Sequence, residues 1–66
     1  MSEIHLLITR RGTLFVLEAT HGADRVALLS LPFIQDVRAA ARDIAARTLD
    51  EHTGRPFSIV DRSGVE

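Results

Sequence analysis

The stretch Phe33–His52, FIQDVRAAARDIAARTLDEH, decides the fold. At about 100° per residue, Ile34, Val37, Ala41, Ile44, Ala45 and Thr48 fall on one stripe, as an amphipathic helix requires. Asp36, Asp43 and Asp50 fall on the opposite side. Ala, Arg and Leu favour the helical state. Asp43 precedes Arg47 by four residues and Arg47 precedes Glu51 by four, a spacing that allows ion pairs along the solvent side. Pro32 suits the approach to a helix start, and Gly54 followed by Pro56 suits the exit from one.

Outside this stretch the chain alternates like strands. Glu3–Thr9, Thr13–Thr20, Arg25–Leu31 and Pro56–Arg62 are β-rich runs, and the gaps between the first three are short and contain Gly12 and Gly22. The order β-β-β-α-β follows: an α+β domain over residues 1–66, with an antiparallel meander and one helix on one sheet face. A long helical connection crosses the sheet, which short turns do not do, so the last strand should lie parallel to the first, in spatial order 3-2-1-4.

Register sets the two faces. With Arg11-Gly12 as a two-residue turn, Arg10 opposes Thr13, and Ile8, Leu6 and Ile4 oppose Phe15, Leu17 and Ala19. That register places an apolar face under the helix and buries no carboxylate. A four-residue second turn adds Val26 and Leu28 to that face, with Phe57 and Ile59 from the last strand. The other face then carries His5, Leu7, Leu14, Val16, Ala27, Leu29 and Val60. A sheet with one wet side should alternate cleanly between apolar and polar residues, and these strands do not. Leu7, Leu14, Val16, Ala27 and Leu29 are therefore expected to form an interface between copies, in the simplest case a two-fold homodimer.

Composition narrows the function classes. The chain has 66 residues, a net charge of −1 and no Cys. It is expected to bury only about 60% of its unfolded surface, and no disulfide staples it. Its charge gives no electrostatic footprint for direct binding of nucleic acid or of a membrane surface. All 8 basic residues are Arg, which fits a GC-rich bacterial or phage source. No leader or spanning run is visible, so a cytoplasmic protein is expected.

Catalytic constellations are thin. His5, His21 and His52 have no partner at metal-ligand spacing. The Asp36, Asp43, Asp50 stripe holds its carboxylates about 10 Å apart along the axis, as on a solvated face. Ser30, Ser58 and Ser63 have no adjacent base, and Phe15 and Phe57 read as core rather than as a base-stacking platform. The expectation is a protein that is not an enzyme and has no cofactor. Arg38 and Arg42, which share a helix flank, are its candidate contacts to an acidic partner.

Three segments together resemble the HicB family of antitoxins. In the helix, Val37, Ala41-Arg42-Asp43, Ile44-Ala45 and Leu49 follow the rhythm of actinobacterial-type members. Phe57-Ser58-Ile59-Val60 matches the family's last strand, and Ile8-Thr9-Arg10-Arg11-Gly12-Thr13-Leu14-Phe15-Val16 resembles its first hairpin. Ala19-Thr20-His21-Gly22-Ala23-Asp24 stands where the family has a Pro-Glu/Asp-Leu-Pro-Gly segment. The resemblance implies a degraded RNase H-like fold without the nuclease carboxylates, which oligomerises and blocks a small basic RNA-cleaving toxin. It carries no DNA-binding residues onto this chain.

Overall fold

The computed structural model describes residues 4–49, 51 and 54–65. Strands β1 (Ile4–Arg11), β2 (Leu14–His21) and β3 (Asp24–Leu31) form the meander, helix α1 (Ile34–Arg47) follows, and β4 (Ser58–Asp61) closes the sheet. The sheet order is β3-β2-β1-β4, with β1 antiparallel to β2 and parallel to β4. Element order, spatial order and the parallel pair are as the sequence dictates.

The first hairpin differs from its expected register by two residues. Arg11 opposes Leu14 and Ile8 opposes Leu17, so the turn is Gly12-Thr13. Gly12 has φ 61 and no non-glycine residue has positive φ among those described. A tight hairpin with positive φ at its first central position only is a type II′ turn, and Gly belongs at that position. An Arg11-Gly12 turn would force Arg11 into the left-handed region instead. Gly22, at φ 62, repeats the device in the second hairpin, where His21 opposes Asp24. A shift of two keeps every side chain on its face, so Leu6 and Ile8 still share a face with Leu17.

Strand β3 brings a larger correction. A bulge opposite Leu17/Glu18 makes Leu28 the extra residue: Ala27 pairs with Glu18 and Leu29 with Leu17. Leu29 and Leu31 therefore pack against the helix-side core, whereas Leu28 is exposed. Leu29 leaves the expected interface, and Leu28 leaves the expected core. The physical reason lies in Ser30. Unbroken alternation from Val26 would place Ser30 under the helix with its hydroxyl to satisfy; the extra residue moves it to the other face, opposite Val16.

Helix α1 buries Val37, Ala41 and Ala45, successive steps of four along one stripe, against Leu6, Ile8 and Leu17. The small Ala side chains let the helix axis approach the sheet closely. Leu6, Ile8, Leu17 and Val37 are the largest fully buried side chains, each contributing about 1.5–3 kcal/mol by burial. Phe15, Ile34, Ile44 and Phe57 border this cluster, which gives both phenylalanines a packing role. The start of α1 has no side-chain cap; the Phe33 carbonyl accepts from the Asp36 amide at 3.2 Å.

The helix ends earlier than its periodicity suggests. Thr48 is already extended, at φ −128 and ψ 122, with its amide donating to the Ile44 carbonyl. Leu49 then bridges Pro56. A β-branched residue followed by a residue held extended stops the helix well before Gly54. The Asp43–Arg47 pair forms at 2.9 Å, but Glu51 sits in a turn beyond the helix, outside the spacing that would have joined it to Arg47. Asp50 and His52 lie outside the described residues.

The core assignment has a direct check. Leu17→Ala should lower unfolding free energy by about 2–5 kcal/mol in urea denaturation. Val26→Ala on the exposed end of β3 should cost less than about 1 kcal/mol. Similar losses at both positions would mean that α1 is not seated over the centre of β2.

Candidate functional site

Between α1 and the edge strand β4 lies a half-open cleft of about 220 Å³, lined by Ile8, Arg38, Arg42, Ile59 and Asp61. Each element contributes for a local reason. Arg38 and Arg42 are one helical turn apart, flanking the buried positions Val37 and Ala41. Ile59 and Asp61 alternate along β4, and Ile8 is the fully buried β1 residue opposite Asp61. The cleft therefore has an apolar floor and a charged rim.

The two arginines have different surroundings. Arg38 Nε donates to Asp61 Oδ2 at 2.7 Å, and its Nη2 donates to the Val65 carbonyl. Asp61 Oδ1 in turn accepts from the Ser63 hydroxyl at 2.6 Å and from the Ser63 amide at 3.0 Å. The Ser63 hydroxyl also accepts from the Val65 amide. This network latches α1 to β4 and to the segment after it. The Asp-Arg-Ser sequence at 61–63 is a turn signal that could have located it from sequence. Arg42 makes no hydrogen bond or ion pair with any described residue. Of the two expected contact arginines, one is thus committed inside the fold and the other is available.

The Ser63 hydroxyl, more than any other partner, holds the Asp61 carboxyl below its ordinary range. Partial burial opposes this, and the Ser63 amide and Arg38 reinforce it.

The expected interface residues do not form one open patch. Leu7 and Val16 are each only 9% exposed within the single chain. Both lie on the inner strands, with Glu18 and Val60 flanking Leu7 and with Thr9 and Ser30 flanking Val16. Leu14 and Ala27 are exposed, while Leu29 is on the helix side. The same face also holds Glu18, 4% exposed, contrary to the expectation of no buried carboxylate. It accepts from Thr9 Oγ1 at 3.2 Å, with Arg11 Nη2 at 3.9 Å. His5, one pair further along, has a buried Nδ1 without a partner among the described residues. Thr9 and Arg11, two and four residues after Leu7 on the same face of β1, make this carboxylate tolerable between its apolar neighbours.

No group of three or more His, Asp or Glu among the described residues is placed to hold a metal ion, and no described helix is long and apolar enough to cross a membrane. The chemistry available in the cleft is recognition of an anion by guanidinium.

Because the Asp61 carboxyl is shifted down in the folded state, its contribution to stability is fully present above the unfolded-state value. It is lost as pH falls through the lower folded-state value. Urea unfolding across the acid range should show this loss in the wild type and a smaller acid-linked loss in Ser63→Ala. Identical pH profiles would exclude the hydroxyl as the main cause.

Comparison with protein-family models, with curated proteins and with solved structures returned no match.

Proposed function

We propose that this chain is a non-enzymatic protein-binding module of the HicB antitoxin type, which neutralises a small RNA-cleaving toxin by covering its active surface. The observation that carries the reading is the sheet itself: the meander, the crossing helix and the parallel β1–β4 pair form the topology that the resemblance implies. Residues that carry the resemblance also occupy structural positions suited to it, with Val37, Ala41 and Ala45 as the buried helix face. Leu14, Val26, Leu28, Phe33, Leu49 and Ile59 are exposed apolar side chains, which supports a function exercised through protein contact.

A second reading, a stand-alone inhibitor or structural protein acting as a homo-oligomer, is favoured by β3. It is an outer strand of the sheet, and both Val26 and Leu28 are exposed on it. The bulge at Leu28 works against simple edge-to-edge pairing, because it interrupts the regular ladder a second strand needs. We therefore put the antitoxin reading first.

Two measurements test these readings. A small reading frame adjoining the gene should arrest bacterial growth when expressed alone, and co-expression of this chain should restore growth. Arrest without rescue overturns the antitoxin reading. Light scattering at micromolar concentration should give a mass above the 7.3 kDa of one chain. A folded monomer removes the homo-oligomer from both readings.

A further inference from the structure

We infer that the cleft between α1 and β4 is a receptor for a single glutamate side chain, presented by an extended segment of a partner protein that adds to the outer edge of β4. The inference rests on the protein-binding reading above and specifies where, and by what chemistry, the partner is held.

Charge comes first. Asp61 pairs with Arg38, cancelling one of the two guanidinium charges lining the cleft. The Arg42 charge is left without a partner among the described residues. One uncompensated positive charge beside a fixed carboxylate matches a monoanion better than a phosphate dianion, which Asp61 would repel.

Shape selects the stem of the ligand. Ile8 and Ile59 form an apolar floor, suited to the methylenes of a glutamate whose carboxylate reaches Arg42. The volume of about 220 Å³ falls below the range of about 300–1,000 Å³ typical of small-molecule sites and suits one side chain.

The backbone supplies the third element. Among the described residues, β4 pairs only with β1 in the sheet. The Arg62 amide donates to the Ile8 carbonyl at 2.8 Å. By the alternation of a parallel ladder, Ser58 and Val60 direct their backbone groups toward β1, and Ile59 and Asp61 direct theirs outward. The two β4 residues that line the cleft are therefore those whose amides and carbonyls face away from the sheet. An added strand would gain main-chain hydrogen bonds there while its side chain enters the cleft, as in strand-addition recognition.

The probe is acetyl-Val-Glu-Val-amide, with acetyl-Val-Gln-Val-amide as the neutral control, titrated to millimolar concentration and followed by NMR. The Glu peptide should shift the Arg42 Nε–Hε signal, the Ile59 and Asp61 amides and the Ile8 and Ile59 methyl groups. Arg42→Gln should weaken its binding roughly tenfold, as loss of one charge-assisted hydrogen bond predicts. Arg47→Gln, outside the cleft, should bind as wild type does. Equal shifts from the Gln peptide, no shift at Arg42, or stronger shifts at the same groups from inorganic phosphate would each overturn the inference. Growth rescue separates the two proposals. Rescue that persists undiminished in Arg42→Gln while the Glu peptide fails to bind refutes the cleft alone. Peptide binding to a wild-type chain that rescues nothing supports the cleft and refutes the antitoxin reading.

Discussion

The parallel pairing of β4 with β1 is the constraint on which the rest of the structure depends. The meander ends at β3 on one side of the sheet, and the chain must reach the opposite side to continue. Only a long connection can do this, and α1 makes the crossing by laying Val37, Ala41 and Ala45 over Leu6, Ile8 and Leu17. The helix is at once the crossover and the cover of the core. Because β4 spans only Ser58–Asp61, its few ladder bonds are a weak anchor. The Arg38–Asp61–Ser63 network supplies a second attachment between the helix and the end of that strand.

What the sequence made legible was what periodicity encodes. The helix stripe, the strand count and the parallel closure all follow from apolar spacing and connection length. Where the structure departs from that periodicity, the signal is local stereochemistry. Gly12 belongs at the first central position of its turn, because that is where positive φ is needed in a type II′ hairpin. The Leu28-Leu29-Ser30 run likewise carries a sign of the bulge: with Val26 on the helix side, strict alternation would send the Ser30 hydroxyl into the core. Helix length failed for another reason. Thr48 fits the stripe, but the bridge from Leu49 to Pro56 is a tertiary contact that periodicity does not see.

The candidate site was half legible. Arg38 and Arg42 stand out as a pair on one flank, yet nothing in their spacing separates a structural arginine from an available one. The difference comes from Asp61, 23 residues after Arg38 in sequence and 2.7 Å from it in space. The expected oligomer face is less open than its residue types suggest, for a related reason. Counting apolar residues on a strand says which side they take, not how much water reaches them. Leu7 and Val16 are shielded by their position on the inner strands, so the free energy available from covering that face is smaller than the residue types alone imply.

Glu18 gives that face a different character. A buried carboxylate must be compensated, and here a hydroxyl from Thr9 and a more distant guanidinium from Arg11 share the task. Both partners come from β1, so the pairing is sensitive to the β1–β2 register. In the observed register Glu18 opposes Leu7, with Thr9 one same-face position along β1 and Arg11 two. A slip by one residue would move Glu18 to the helix side, beside Leu6 and Ile8 and away from Thr9 and Arg11. The buried carboxylate thus penalises that slip, in addition to the register that the Gly12-Thr13 turn already sets.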